Sequence, residues 1–456
     1  MSRTSARALI VLIALAHATL YILYQSRDWL TEWTDQAGYE RLGGALAHTG
    51  RFTRYPDHVP YVPDVLRTPG YPVFVAAVNR TIGEGRLPVA VAQAVVFAAI
   101  CLLVYATARL VENDRVAFAA GLATALYPTL PYFGALTLTE VFTTFVVTAG
   151  AYLWLRALRH GAGWAVAAGV VLGWAALTRP SFQYLPVAFV LFACLTAPRS
   201  RSARRRSVVL LVAFAATIMP WVVHNVIYFR AVSIAPPAAG IGRTLWEGNW
   251  QTAWPGRVEA KLTQLAETTW DRAVLDEEVR AYAASERLDA ELMLRYVHEW
   301  QDVRRMWDDP QEPIERTAAR ARADREYGRL AIENIRRDPV RHIWRRLTTG
   351  VLLLWITEIP VRHSDINALP PIVIRLIWFV QALLMLAAMA GLLILWQRGA
   401  RAEAAALGAL LMYVTAVHAV LFSEARYALP AKPMVVLLAT VAVSQFFRRG
   451  IPSRSS

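Results

Sequence analysis

Cysteine and lysine are nearly missing from this 456-residue chain. The two cysteines, Cys101 and Cys194, both lie in apolar runs and argue for neither a disulfide framework nor a metal site. Lysine occurs only at Lys261 and Lys432, which leaves 46 arginines among the 48 basic residues. Charge is scarce too. Only 18% of residues are Asp, Glu, Lys or Arg, against about 25% in a typical soluble domain. With 56% hydrophobic residues and a mean hydropathy of +0.34, the chain is too apolar for an ordinary soluble protein. No internal repeat and no low-complexity tract is found. The net charge of +14 would suggest nucleic acid in a soluble domain, but in a membrane protein it has another use.

What the chain has is long apolar runs, at 1–24, 87–111, 116–135, 138–158, 163–178, 181–197, 207–224, 371–397, 402–422 and 429–447. A spanning helix takes roughly 20 apolar residues, so ten use about 200, and the remainder must form sizeable loops or an external part. Residues 1–24 have the basic start of a signal peptide or of a first span. The apolar stretch continues past Ala16-His17-Ala18, the site that resembles a cleavage signal, so we read a span.

Arginine sets the orientation, because short cytoplasmic loops collect it. With ten spans, Arg3 and Arg7, Arg109 and Arg115, Arg156 and Arg159, Arg204 to Arg206, Arg398 and Arg401, and Arg448 and Arg449 all fall on one side. Both termini are then cytoplasmic. Residues 347–357, after RRDPVRHIWRR, would reverse the C-terminus as a span; we read them as interfacial or re-entrant, with snorkelling arginines. The fold class is therefore an all-α polytopic bundle of about ten spans. It divides into a transmembrane module at 1–224 with a first external loop at 25–86, an external helical region at 225–346, and a second transmembrane module at 347–456. In the first loop, Pro56, Pro60, Pro63, Pro69 and Pro72 predict a short helix at 36–48, an extended crossing, and a second short helix from about 71. In the external region, LDEEVRAYAASERLDAELMLRYVHEW has apolar residues at helical spacing.

On the outer side, every external turn contributes an ionisable group: Asp35, Arg67, Glu140, Arg179, then His224 and Arg243, and finally Glu424 and Arg426 beside Tyr427. An ion within a span costs roughly 2.5–3.5 kcal/mol, less near its ends. Carboxylates at 35, 140 and 424 with arginines at 67, 179 and 426 predict a polar cavity at one membrane face. Such a cavity suits transfer of a sugar from a lipid phosphate. The polyprenyl tail lies in the bilayer, arginine forks match the phosphate, and a carboxylate such as Asp35 supplies the base on the opposite face of the sugar.

Each residue also has a plainer reading. Asp35 and Glu140 cap helices, Arg67 and Pro69 shape a turn, Glu424 pairs locally with Arg426, and His418 is a satisfied interior histidine. The His58 and Asp57 pair is solvated in its loop. A transporter or lipid flippase is the main rival, yet transporters place ionisable groups near the midplane and show related halves. An oligosaccharide ligase and a non-enzymatic scaffold are further rivals.

The order of motifs is informative: Asp35 with Tyr39, RTPGYP at 67–72, YP at 127–128 with TE at 139–140, TRP at 178–180, PWVVHN at 220–225, GRTLWEGN at 242–249 and ARYALP at 425–430. This series resembles the bacterial GT-C glycosyltransferases, the integral membrane enzymes similar to lipid A aminoarabinose transferase and the protein O-mannosyltransferases. The resemblance implies a multispanning helical bundle in a bacterial cytoplasmic membrane with an external catalytic site. It implies a polyprenyl-phosphate sugar donor and a lipid, glycan or protein acceptor, with no nucleic acid partner. On the matching positions, Asp35 is the catalytic base and Glu140 a second acidic site residue. Arg67, Arg179 and Arg426, with Tyr39, Tyr427, Glu424 and Asn249, are candidates for donor phosphate or sugar contacts. Asp35 is followed by Gln36 where the mannosyltransferases have a second acidic residue, which weakens a paired-carboxylate metal site. Some GT-C enzymes use a divalent metal and others do not, so the resemblance leaves it open.

Overall fold

The structure, a computed structural model, describes residues 2–27, 34–197, 199–308, 310–366 and 368–450. The side chains of Arg448 and Arg449, which the orientation argument uses, lie outside the described residues. All regular structure among the described residues is helical.

The N-terminal part runs through α1 (Arg3–Gln25), α2 (Thr34–Thr49), α3 (Gly70–Thr81), α4 (Arg86–Val111), α5 (Asp114–Ala125), α6 (Thr129–Gly134), α7 (Glu140–His160), α8 (Ala162–Thr178), α9 (Leu185–Thr196) and α10 (Arg201–Phe229). Polar caps fix several starts. The Ser2 hydroxyl accepts from the Ser5 N–H, the Asn113 side chain from Arg115 and Val116, and the Ser200 hydroxyl from Ala203, each at 3.1 Å. The two short helices expected in the first loop are α2 and α3, joined by irregular chain through the prolines.

The expected span at 116–135 is broken. Helix α5 stops at Ala125, and α6 starts after Pro128, because proline lacks an N–H and pushes the preceding Tyr127 out of helical conformation. Helices α8 and α9 are apolar but short. Seven helical segments among the described residues are long and apolar enough to cross a bilayer: α1, α4, α7, α10, two given below, and the stretch Ala425–Phe447. Three of the ten expected spans are thus shorter elements packed among longer ones, with α8 lying between α7 and α10.

The helical region that follows holds α11 (Ile241–Trp250), α12 (Gly256–Thr268), α13 (Arg272–Glu286), α14 (Ala290–Asp308) and α15 (Pro313–Arg337). It has its own core, in which Trp246, Trp250 and Trp254 pack with Val258, Leu262, Val279, Tyr296, Val297 and Tyr327. Then α16 (Pro339–Arg345) continues through a π-helical turn at Arg346–Gly350 into α17 (Val351–Ile356), so residues 347–356 are helical and Thr357 caps them. After α18 (His363–Ile366) come α19 (Pro371–Gln397), α20 (Arg401–Val420), α21 (Ala425–Ala428) and α22 (Lys432–Gly450).

Inside the bundle the contacts are made largely by alanine, leucine and valine. Outside it, α19 leaves Ile372, Leu376, Phe379, Val380, Leu386, Met389 and Leu393 exposed while burying Gln381, Ala388, Gly391 and Leu395. A helix apolar all round and buried on one side only matches hydrocarbon as its solvent. The chain is a multi-pass membrane protein. The α11–α15 region is tied to the bundle by Arg346, which is 3% exposed and donates only to neutral oxygens: the Ala419, His418 and Gly248 carbonyls, the Gln251 amide and the Ser423 hydroxyl, at 2.7–3.3 Å. Gly248 makes that junction possible, since a Cβ there would stand 1.7 Å from the Leu421 carbonyl oxygen.

Candidate active site

A cavity of about 620 Å³ opens where α2, the turn before α7, the end of α8, the start of α11 and the end of α20 converge. Asp35, Tyr39, Arg67, Glu140, Arg179, Arg426 and Tyr427 all line it, so seven of the nine site residues expected from sequence stand on one wall system. Glu424 joins through Arg426, whose Nε donates to its carboxylate at 2.8 Å. Asn249 does not reach the cavity. Its amide donates to the Leu245 and Ala331 carbonyls and links α11 to α15, a role that a motif in a single chain does not reveal.

Local chain chemistry places each group. Asp35 sits in the first turn of α2, where the helix dipole favours a carboxylate. The RTPGYP segment docks on the end of α8: the Thr68 hydroxyl donates to the Thr178 carbonyl at 3.3 Å, and a Cβ on Gly70 would stand 2.5 Å from the Thr178 hydroxyl. Arg179 leaves the helix in extended conformation because Pro180 follows it. Glu140 opens α7, and the turn before it is held by two buried glutamines. Gln36 accepts the Thr137 N–H at 2.9 Å, and Gln93 donates to the Gly134 and Leu136 carbonyls at 3.0 and 2.6 Å. The residue that stands where the mannosyltransferases carry a second acid is therefore an anchor for this turn.

The charges alternate. The Arg67 Nη2 donates to Asp35, and its guanidinium lies 5.0 Å from the Tyr39 ring centre. Arg179 donates to the Glu140 carboxylate at 2.5 Å and to the Thr139 hydroxyl at 2.7 Å. Arg426 reaches to within 4.0 Å of that same Glu140 oxygen. Arg179 and Arg426 both face the Tyr427 ring, at 5.4 and 5.1 Å. Partial burial pushes the Asp35 carboxyl up, but attraction to Arg67 and then Arg426, with the Arg67 hydrogen bond, outweighs it and holds the group below its ordinary value. Burial pushes the Glu424 carboxyl up in spite of Arg426. Two buried polar atoms of the site, Glu140 Oε2 and Arg67 Nε, have no hydrogen-bond partner in the protein, which is where a ligand's donors and acceptors are needed.

Other walls come from Leu138, Tyr184, Val417, Val420, Leu421 and Phe422. A cavity with both fixed arginines and an apolar side fits an amphiphile with an anionic head. His418, which the sequence suggests is an interior histidine, is buried but lines this cavity and stacks on Tyr427 at 5.0 Å. Tyr413 is a further lining residue that sequence reasoning missed. Its hydroxyl donates to the Ser181 carbonyl and accepts the Tyr184 N–H, fixing the turn after Arg179. It lies within the apolar run of α20 and carries no local signal. As for a metal, no three His, Cys, Asp or Glu side chains converge among the described residues, Asp35 and Glu140 are each engaged by an arginine, and Gln36 turns away. These residues do not form a metal-ligand set, and no step below uses one.

Residues 66–224 match the family described as dolichyl-phosphate-mannose-protein mannosyltransferase. No curated protein matches the sequence. Among solved structures, the oligosaccharyltransferase of Archaeoglobus fulgidus in its apo form matches with a TM-score of 0.54 at 14% identity, over 98% of this chain and 50% of that one. The Archaeoglobus fulgidus oligosaccharyltransferase AglB, in complex with an inhibitory peptide and a dolichol-phosphate, matches with a TM-score of 0.53 at 15% identity, over 99% and 52%. ArnT from Cupriavidus metallidurans bound to undecaprenyl phosphate gives a TM-score of 0.43 at 14% identity, over 97% and 79%. The chain spans about half the length of the oligosaccharyltransferase chains it matches. In fold, this chain is similar to the Archaeoglobus fulgidus oligosaccharyltransferase, and its sequence likeness to the dolichyl-phosphate-mannose-protein mannosyltransferases lies in residues 66–224.

Proposed function

We propose that the protein is a glycosyltransferase that moves a sugar from a polyprenyl-phosphate donor to an acceptor hydroxyl, with inversion, at the outer face of a bacterial cytoplasmic membrane. The observation that carries this reading is Asp35 on the wall of a half-apolar cavity beside Arg67, Arg179 and Arg426. The family match over residues 66–224, which includes Arg67, Glu140 and Arg179, supports it, as does the fold shared with a dolichol-phosphate complex.

In this reading the arginines hold the donor phosphate and receive the charge that develops as the sugar–oxygen bond breaks, its electron pair leaving with the phosphate. The acceptor oxygen attacks the anomeric carbon from the opposite side. Its proton passes to Asp35, which Arg67 keeps ionised, as the attacking oxygen becomes acidic during bond formation. Glu140 holds Arg179 in place and offers its second oxygen to the sugar. Tyr39, Tyr427 and Glu424 orient the arginines around the head group. The acceptor is a lipid, glycan or protein.

The test is release of polyprenyl phosphate from a panel of polyprenyl-phosphate sugars by purified protein, wild type against Asp35→Asn. A flippase or transporter binds these lipids without breaking the sugar–phosphate bond. Sidedness is tested with a cysteine at Val232, which is 87% exposed, with labelling from outside expected. Labelling only from the cytoplasm overturns the external site.

A further inference from the structure

At the end of the bundle remote from the cavity lies a second, basic pocket of about 490 Å³, between α1, α4 and α7. Its distance follows from helix geometry. From Glu140 to Arg156 along α7, at about 1.5 Å per residue, is roughly 24 Å. The cavity residues lie at one set of helix ends, while this pocket is lined by Arg7, Arg109, Arg156, Tyr105 and Tyr152 near the other.

Two observations separate this pocket from an ordinary solvated cluster of arginines. The first is charge. Among the described residues, the only carboxylate bonded to any of the three arginines is Asp114, which takes Arg109 at 2.7 Å and is shared with Arg3 at 3.0 Å. The candidate active site, by contrast, matches three arginines with three carboxylates. The second is an unmet polar group. Tyr105 is 2% exposed, and its hydroxyl is buried with no hydrogen-bond partner in the protein, while the guanidinium groups of Arg7 and Arg109 stand 5.8 and 5.9 Å from its ring centre. The Arg156 Nε is likewise buried and unpaired, its guanidinium stacked 4.3 Å from the centre of the Trp164 ring. Buried donors of this kind need an acceptor, and positive charge in excess asks for an anion.

We propose that this pocket binds the phosphate of an anionic phospholipid from the leaflet opposite the candidate active site. Arginine forks and a tyrosine hydroxyl supply phosphate donors, and basic pockets between transmembrane helices hold anionic head groups in this way. Leu102, Ala106 and Leu110 form the apolar wall, along which an acyl chain continues from the head group. A free phosphate ion uses the same donors but not that wall.

The test is native mass spectrometry of the full-length protein in detergent, titrated with phosphatidylglycerol, phosphatidylcholine or inorganic phosphate. Phosphatidylglycerol is expected to stay bound where phosphatidylcholine does not. Arg7→Gln with Arg156→Gln is expected to lose that retention. Tyr105→Phe, which keeps the packing, is expected to weaken it about tenfold, the scale of one hydrogen bond to a charged group. Equal retention by wild type and Tyr105→Phe, equal retention of the two lipids, or displacement of the lipid by inorganic phosphate overturns the assignment.

Discussion

Buried carboxylates are handled differently in the bundle and in the helical region of α11–α15. In the bundle and the first loop each faces a cation: Glu140 with Arg179 at 2.5 Å, Glu403 with Arg159 at 2.5 Å, Glu358 with Lys432 at 2.9 Å, and Asp64 with Arg54 at 2.6 Å. In the α11–α15 region the partners are neutral. Glu299 accepts from the Trp246 indole at 2.6 Å and the Asn334 amide at 3.1 Å, and Asp324 accepts the Gly242 and Arg243 N–H groups at 3.3 and 3.1 Å. Burial raises the pKa of both Glu299 and Asp324 despite those bonds. Hydrocarbon offers an ion no solvation, so a carboxylate there needs an opposite charge. Around Glu299 and Asp324 dipoles suffice, and each carboxyl relieves its burial by holding a proton more tightly.

That contrast can be broken in several places. The largest effect is expected at Asp35, where Asp35→Asn removes a charge that is both the partner of Arg67 and the proposed base. General-base catalysis is worth about 10²–10⁴ in rate, so transfer should fall by that much while the protein still inserts, and unchanged release of polyprenyl phosphate sinks the assignment. Next comes Glu358→Gln. It leaves Lys432, which is 0% exposed, with the Trp355 carbonyl and the Gln381 amide but no counter-charge, at a cost of about 3–5 kcal/mol in thermal or denaturant unfolding. The double change with Lys432→Met should recover most of the loss. An unchanged midpoint for the single variant would show that charge matching in the bundle is not required.

Changing Arg67, Arg179 or Arg426 singly to Ala is expected to weaken binding of a polyprenyl-phosphate sugar about tenfold, the scale of a charge-assisted hydrogen bond, measured by direct lipid binding. Unaltered affinity in all three refutes their role. Glu299→Gln, by contrast, should cost no more than about 1 kcal/mol, because an amide oxygen accepts the same indole and amide donors. A loss as large as that of Glu358→Gln would erase the distinction between the two regions.

The smallest effect is one of pH. Burial, and then the neighbouring Glu247, raise Glu259 from 4.5 to about 7. Its folded form therefore holds a proton more tightly than the unfolded chain. The stability this contributes is fully present below about pH 4.5 and is lost as pH rises through about 7. The midpoint of chemical unfolding should fall at alkaline pH, and Glu259→Gln should flatten that dependence.

How far the site was legible depended on where its signals lie in the chain. Glu140, Arg179 and Arg426 are polar residues at the edges of long apolar runs, where they stand out, and Asp35 and Arg67 lie in the loop that follows the first run. They meet in one cavity because the helix ends that carry them are on one side. Tyr413 and His418 sit inside an apolar run, where an aromatic or a histidine looks like packing until the opposite wall is known. Asn249 misled for the converse reason: its motif is polar, but its amide serves the contact between α11 and α15. The break after Ala125 was present in Pro128, yet hydropathy averages over a single proline.

The amino-acid sequence by itself determined that this protein lives in a bilayer, because composition decides solvent, and that its ionisable groups gather at the edges of apolar runs, because an ion inside hydrocarbon is costly. It also determined that arginine would be the cation almost everywhere. Tertiary structure alone decided which arginine meets which carboxylate, why Gln36 is a glutamine, and that one of the two lysines is buried against Glu358. Those pairings join residues far apart in the chain, and only packing sets distances of that kind.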